Sequence, residues 1–309
     1  MKKVLISVFA LGVLTLTAIY IFIPSQIKFS KIIILDNTVN AVQRFLFYPD
    51  NWNKWFPVRS VQDKNFYFNN YQYQIISASL NGIKLLVTSG SKSSKSSITL
   101  FHLDDKRVAI DWEATISKTS NPIKKIRNYF EAKKLQRDME KIVSFLKKFL
   151  SKDENIYGVN FQVVMSKDST LVATKDTTSS YPSTAEIYKL INNLKKYIYT
   201  NRAKENNFPM LHVRPLKDSM FETMVAIPVN KRLTGDKNIF IKEFVPWKVL
   251  TAEVKGGNYR VNEALKQMKI YIADYQKTAM AMPFESLVTD RSSQPDTLQW
   301  ITRIYTPIP

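Results

Sequence analysis

The sequence predicts an α+β protein in three parts: a membrane-spanning helix, an antiparallel sheet followed by one long helix, and a duplicated strand–helix–strand–strand domain. Three observations support this. The N-terminus holds 20 residues without a charge, strand-like runs precede a long amphipathic pattern up to residue 150, and the rest contains a repeat. At 309 residues the chain is too long for one ordinary core, so more than one domain is expected.

The composition is that of a folded protein, and it excludes several kinds of site. Hydrophobic residues make up 45% and charged residues 23% of the chain. There is no cysteine, and the only histidines are His102 and His212, so we expect no disulfide, no metal centre and no cofactor. The net charge of +19 is spread along the chain and forms no dense stripe, so we expect no nucleic-acid partner.

The uncharged N-terminal run, "VLISVFALGVLTLTAIYIFI", predicts a membrane anchor over residues 1–24. As a helix it rises about 1.5 Å per residue and spans roughly 30 Å, one hydrocarbon core. A cleaved signal peptide would show a shorter apolar run and small residues at the cut. The sequence "TLTA" (15–18) is a poor version of such a site and bulky residues follow it, so we expect the anchor to be retained.

The charges around this run predict its orientation. Lys2 and Lys3 precede it, and positive flanks stay in the cytoplasm. Lys28 and Lys31 follow it closely and weaken the asymmetry. We expect a single-pass protein of the cytoplasmic membrane with the bulk of its chain outside the cytoplasm.

Residues 25–150 predict one domain of sheet and helix. The strand "IKFSKIIIL" (27–35) leads into a short helix broken by Pro49, and "NWNKWFP" follows with two tryptophans. Strand-like runs fill residues 61–117, with tight hairpins expected at Asn81-Gly82 and Asp104-Asp105. In the last run Asp111 and Glu113 alternate with apolar residues, which predicts a solvent face and no catalytic pair. A long helix follows Asn121-Pro122.

This order of elements resembles the SRPBCC superfamily, the START-like and polyketide-cyclase-like helix-grip proteins. The stretch "KIIILDNTVNAVQRFLFYPDNWNKWFP" carries the resemblance, together with the sheet and long helix after it. The resemblance implies a curved sheet around the helix, with an apolar cavity between them. Trp52 and Trp55 are expected to be core residues, with a role as ligand contacts as the alternative.

The second half of the chain contains an internal repeat after a polar stretch, "SKDEN" (151–155), which predicts a linker. "TLVATKDTTSSYP" (170–182) can be laid over "KVLTAEVKGGNYR" (248–260), and an amphipathic helix follows each. A proline-led strand comes next in each copy, "FPMLHVRPL" and "MPFESLVTD", and a strand ending in proline closes it. This pattern predicts two fused strand–helix–strand–strand copies.

The strand "MPFESLVTD" has a carboxylate on an apolar face. Alternate side chains of a strand share a face, so Glu285 points the same way as Leu287. One explanation is an edge strand with a wet face. The other is an acid held in an apolar pocket to meet a ligand, because a buried carboxylate is costly unless it is paired.

The repeat, its second copy above all, resembles the GyrI-like family, the effector-binding domain of bacterial transcription activators. "VPWKVLTAEVKGGNYRVNEALKQMKIYI", "PFESLVTD" and "ITRIYTPIP" carry the resemblance, which covers residues 156–309. It implies a cleft between the copies that binds lipophilic, often cationic, molecules, with a buried glutamate at Glu285. Tyr305 matches a second pocket position, and Trp247 and Tyr259 are weaker candidates. The first copy has Leu211 in place of the acid.

Two features bear on function. Regulators of this family carry a DNA-binding helix-turn-helix, whereas this chain begins with an apolar helix, and no common catalytic motif is present. We therefore expect an extracytoplasmic, membrane-anchored binder of a hydrophobic small molecule or lipid. The alternatives are a hydrolase that uses Glu285 with Tyr305, and a structural scaffold whose pockets are filled by side chains.

Overall fold

The structure is a computed structural model that describes residues 1–58, 65–79, 82–90, 92–167, 170–243 and 246–309. The chain divides into two compact units, Met1–Lys152 and Asp153–Pro309. Asn81, half of one predicted hairpin, lies outside the described residues.

The first unit begins with an apolar helix, α1 (Lys2–Phe22), none of whose residues is buried. Its mean hydropathy is 2.4, and it is long and apolar enough to cross a membrane by length and composition. Two contacts hold its end against the rest of the unit. The Tyr20 hydroxyl donates to Ser120 O at 2.6 Å, and Lys125 Nζ donates to Ile23 O at 2.7 Å.

The remainder of the first unit is a six-stranded antiparallel sheet with three helices. Its strands pair in the order β1-β6-β5-β4-β3-β2, and the long helix α4 packs against β1 and β6. The element bounds are β1 Ile27–Leu35, α2 Val39–Leu46, α3 Pro49–Trp55, β2 Asn65–Phe68, β3 Tyr71–Ser79, β4 Gly82–Ser89, β5 Lys92–Asp104, β6 Arg107–Ile116 and α4 Pro122–Leu150. The Thr38 and Asn121 side chains cap α2 and α4, as their sequence positions predict.

An aromatic cluster lies in the interior of the first unit. Trp52 and Trp55 are buried, and their indole N–H groups donate to backbone carbonyls of α2 at 2.7 and 2.8 Å. The prediction that this pair belongs to the core is confirmed. Phe66, Tyr73 and Trp112 belong to the same cluster. A partly polar pocket of about 360 Å³ is lined by Val87 and Ile116 of the sheet and Leu135 of α4. The apolar cavity that the resemblance implies stays a prediction. The predicted solvent face is found only in part: Glu113 pairs with exposed Lys28 at 3.0 Å, whereas Asp111 is half-buried and its Oδ1 has no hydrogen-bond partner among the described residues.

The second unit is an eight-stranded curled antiparallel sheet with two long helices. Its elements are α5 Asp153–Tyr157, β7 Gln162–Met165, β8 Thr170–Thr178, α6 Thr184–Thr200, β9 Met210–Pro215, β10 Phe221–Pro228, β11 Phe240–Glu243, β12 Lys248–Lys255, α7 Asn258–Asp274, β13 Phe284–Leu287, a 3₁₀ turn Thr297–Gln299 and β14 Ile301–Pro307. Part of the predicted linker 151–155 belongs to the short helix α5. Burial of Ile156 and Tyr157 at the end of α5 stabilises this helix.

The strand order is β11-β8-β10-β9-β13-β14-β12-β7. Two runs of strand–helix–strand–strand, β8-α6-β9-β10 and β12-α7-β13-β14, meet at the pairing of β9 with β13, where Leu211 lies opposite Glu285. That they arose by duplication stays a prediction. The two short strands cross over: β7 precedes the first run but pairs with β12, and β11 precedes the second run but pairs with β8.

The helices α6 and α7 cover one face of this sheet. Alternate residues of β8, β9 and β10, namely Val172, Leu211 and Val225, pack with Ile187 and Ile191 of α6. On the α7 side the Thr306 hydroxyl contacts Met268 Sδ at 3.0 Å. We call this the helix face; the residues between these in each strand form the opposite face.

Candidate ligand-binding site

Glu285 lies on the helix face, at the centre of the sheet. Its register partners are Leu211 on β9 and Ile304 on β14, both of which are buried. Because Glu285 is itself only 8% exposed, it is not a wet edge-strand residue. The strand alternation that placed it beside Leu287 is found in the structure, with both side chains buried.

The charge partner of Glu285 is an arginine from the loop between β13 and β14. Arg291 Nη2 lies 3.3 Å from Glu285 Oε2, and Arg291 is 5% exposed. The same nitrogen donates to the Thr302 hydroxyl at 2.7 Å, and Nη1 donates to Asn258 Oδ1 at 3.2 Å. The guanidinium therefore links β13, β14 and the first residue of α7.

An indole completes the setting of this guanidinium. Arg291 Cζ lies 4.7 Å from the ring centroid of Trp300, within the range of a cation–π contact. The Trp300 N–H donates to Gln294 O at 2.8 Å, which holds the ring within the same loop. The Glu285 carboxylate and the face of the Trp300 ring are together able to bind a flat cation.

Two tyrosines border the cluster. The Tyr188 hydroxyl on α6 accepts a hydrogen bond of 2.6 Å from Arg291 N and so holds the loop in place. Tyr181, which precedes α6, is 41% exposed, and burial of its hydroxyl and the charge of Glu285 raise its pKa while Arg291 lowers it. We call Tyr181, Tyr188, Glu285, Arg291 and Trp300 the helix-face site.

Arg291 does not fully compensate the cost of burying the Glu285 carboxylate. Burial raises the pKa of the Glu285 carboxyl, and the charge and hydrogen bond of Arg291 offset that rise only in part. Arg291 Nε is buried with no hydrogen-bond partner among the described residues. A buried ion pair of this kind contributes little net stability, because desolvation cancels much of its attraction.

Tyr305 does not meet Glu285. It is the register partner of Phe284, stacks on that ring at 5.1 Å and 14°, and so lies on the opposite face of the sheet. Residues 284 and 285 point to opposite faces because successive strand side chains alternate. The structure therefore does not bring together the glutamate and the tyrosine on which the hydrolase hypothesis depends.

Trp247 also belongs to the opposite face. It lies before β12 and lines a cavity of about 200 Å³ together with Met210, Met224 and Phe284. Tyr259 is 75% exposed near the start of α7 and, together with Tyr305, lines an open pocket of about 1110 Å³ along β12. The four residues predicted for one site thus fall in three separate places.

The sequence analysis missed Arg291, Trp300, Tyr188, Asn258 and Thr302. Arg291 and Trp300 lie in or at the end of a loop, where no strand or helix period assigns a face. One signal was available: Arg291 is the only basic residue between Lys277 and Arg303, six positions after the buried acid.

No family model matches this chain, and no curated protein matches it. Solved structures resemble part of it. The C-terminal domain of EcmrR is 15% identical, with 49% of this chain covering 98% of that one at a TM-score of 0.40. SAV2435 bound to tetraphenylphosphonium is 18% identical (48% of this chain, 94% of that one, TM-score 0.33). A hydrolase from Listeria innocua is 9% identical (48% and 91%, TM-score 0.37). With every score below 0.5, these likenesses say nothing about the function of this chain.

Proposed function

We propose that this protein is a membrane-anchored, extracytoplasmic binder of lipophilic small molecules, and that the helix-face site takes a cationic group. The observation that carries the proposal is the buried Glu285 carboxylate, paired with Arg291 beside the Trp300 indole. The site already holds a cation, but that cation belongs to the chain itself.

Binding would exchange one cation for another. Arg291 lies in the connection 288–300, outside any strand or helix, so its side chain can turn away without breaking a backbone hydrogen bond between strands, at the cost of its bonds to Asn258 and Thr302. An incoming cation would take over the carboxylate and the indole face, and the 41% exposed Tyr181 ring would be its point of entry. The guanidinium would regain water and its unmatched Nε would find partners.

The membrane part of the proposal rests on α1. The helix is apolar along its whole length and none of its residues is buried against the first unit. A lipid bilayer is the environment that such a surface favours. Lys2 and Lys3 support a cytoplasmic N-terminus, which would place both units outside.

The test is binding of rhodamine 6G, a fluorescent lipophilic cation, to the full chain in nanodiscs of zwitterionic lipid. Arg291→Gln removes the internal competitor and should tighten binding about tenfold. Adding Glu285→Gln to that variant removes the charge-assisted contact and should weaken binding by about tenfold to a hundredfold.

Matched controls are available on the same sheet. Arg303 and Glu253 form an exposed pair at 3.0 Å between β14 and β12, so Arg303→Gln and Glu253→Gln should leave binding unchanged. Nile red, which is neutral, should be insensitive to all four changes. Equal rhodamine affinities of the Arg291 and Arg303 variants would contradict the proposal.

A further inference from the structure

A second candidate site lies on the opposite face of the same sheet, away from the helix-face site. It is the cavity of about 200 Å³ at Trp247, which we call the methionine cavity. Its lining is mainly carbon and sulfur, contributed chiefly by Leu171, Met210, Met224, Trp247, Met282 and Phe284. Methionine side chains are flexible and polarisable, so such a lining adapts to apolar guests of different shapes.

Lys242 is the first polar group of this cavity. Its Nζ donates to Met224 Sδ at 3.2 Å and lies 5.5 Å from the centroid of the Phe240 ring. A thioether is a weak acceptor for an ammonium group. None of the carboxylates in the described ranges pairs with Lys242, although twelve other basic side chains there form ion pairs.

His212 is the second polar group of the methionine cavity. Its Nδ1 lies 2.7 Å from Pro283 O, and a carbonyl can only accept, so Nδ1 carries the proton. The other ring nitrogen, Nε2, is buried and has no partner among the residues that the structure describes. It can accept from a carboxylic acid, or donate to a carboxylate when the ring is protonated.

The fold makes both residues neighbours of one methionine. Met224 is the register partner of His212 across β9 and β10, and the same methionine receives the Lys242 ammonium. The polar groups therefore converge around Met224 at the wall of an otherwise apolar cavity. This is the arrangement of a ligand site: an apolar lining with a few polar groups that fix one end of the guest.

We propose that the methionine cavity binds an apolar monocarboxylate, a fatty-acid-like or aryl-carboxylate molecule. The carboxyl group would contact Lys242 Nζ and His212 Nε2, and the tail would lie against Met210, Trp247 and Phe284. The cavity is smaller than the roughly 300–1,000 Å³ typical of drug-sized ligands, so a short or medium chain fits it best. This site selects charge of the opposite sign to the helix-face site and depends on none of its residues.

The experiment is binding of octanoate, labelled with ¹³C at the carboxyl carbon, to the full chain in nanodiscs. Empty nanodiscs correct for partition into lipid. Octanoate should bind and shift its carboxyl resonance, whereas octanol and octylammonium should bind at least tenfold more weakly. Lys242→Met should weaken octanoate by about tenfold or more, the loss of one charge-assisted contact, and His212→Gln should weaken it less.

The controls separate this site from a general surface effect. Lys237→Met removes an exposed lysine close to β11 and should leave octanoate binding unchanged. Glu285→Gln and Arg291→Gln should also have no effect on it. Absence of octanoate binding, equal binding of the three octyl compounds, or equal losses in the Lys242 and Lys237 variants would each overturn the proposal. None of these outcomes affects the rhodamine test of the helix-face site.

Discussion

At the scale of the residue, the Glu285–Arg291 pair changes what substitution of the acid is expected to do. Sequence alone suggests that Glu285→Gln would be neutral or slightly stabilising, since an unpaired buried carboxylate is a liability. With Arg291 buried 3.3 Å away, the same change leaves a guanidinium without its counter-charge. Removing one partner of a buried pair is destabilising even where the pair itself adds little.

A double-mutant cycle tests this coupling. Glu285→Gln and Arg291→Gln should each destabilise β13 and β14, and the double variant should recover part of the loss, with a coupling energy of about 1–3 kcal/mol. Native-state hydrogen exchange of the amides in these two strands measures the local free energy of opening in the full chain.

The exposed pair provides the comparison. Glu253 and Arg303 lie on the same sheet at 3.0 Å, and their cycle should give a coupling of less than about 1 kcal/mol, as solvent-exposed pairs do. If the two cycles gave the same coupling energy, burial would not be the cause of the coupling between Glu285 and Arg291.

The acid could be predicted from sequence and its partner could not, for a physical reason. Glu285 lies in a strand, where alternation assigns it to the face of Leu287 and so to the interior. Arg291 lies in a turn after the strand, and its direction depends on Tyr188, Asn258 and Thr302, which are distant in the chain. Tyr305 was misplaced because the family resemblance matched its position but not its face relative to Glu285.

At the scale of the element, the helices and strands follow their local signals closely. The capping box at the start of α6 is complete: the Ser183 hydroxyl accepts from Glu186 N while the Glu186 carboxylate accepts from Ser183 N. The spacing of apolar residues predicts burial less well on a helix that packs on one side only. On α4 the apolar Phe130 is 65% exposed, whereas Lys125 before it and Ala132 after it are buried.

Three strands of the second unit are tied by one carboxylate on the opposite face. Glu222 on β10 pairs with Arg214 on β9 at 2.8 Å and with Lys175 on β8 at 3.1 Å. Its hydrogen bonds to Arg214 and Lys175 hold the pKa of the Glu222 carboxyl below its ordinary value of 4.5. The stabilisation is therefore present above pH 4.5 and is lost as pH falls through the lower, folded-state pKa.

Glu222→Gln should accordingly flatten the acid side of the stability profile. The thermal midpoint of the wild-type chain should fall more steeply below pH 4.5 than that of the variant. The test is a set of melting curves between about pH 7 and 3. Glu253→Gln, a change at an exposed pair, should keep the wild-type slope. If the melting temperature of Glu222→Gln fell with pH as steeply as that of the wild type, the ion pairs of Glu222 would not determine the stability in acid.

At the scale of the whole molecule, the chain combines an apolar helix with two units of strongly basic character. The 20-residue uncharged run and the sequence repeat predicted this organisation in outline. Each signal extends over many residues, so it does not depend on any single side chain. The helix end is also held by Lys125 and Tyr20 contacts within the first unit.

The absence of cysteine makes the proposed orientation easy to measure. A single cysteine in place of exposed Lys237 should react with a membrane-impermeant maleimide in intact bacterial spheroplasts, whereas one in place of Lys2 should react only after lysis. The labelled protein should remain in the membrane fraction and keep its original N-terminus. Labelling of Lys2→Cys in intact cells, or an N-terminus beginning after residue 17, would contradict the proposed topology.

The crossing of β7 and β11 has a consequence for synthesis. As the chain leaves the ribosome, β7 is the first strand of the second unit to appear, yet its partner β12 follows only after α6 and four more strands. The edge of β7 therefore stays unpaired while residues 166–247 are synthesised, and an unpaired edge invites aggregation with other nascent chains. Its short length and wide separation from its partner make this sheet one that closes late, when nearly the whole polypeptide is available.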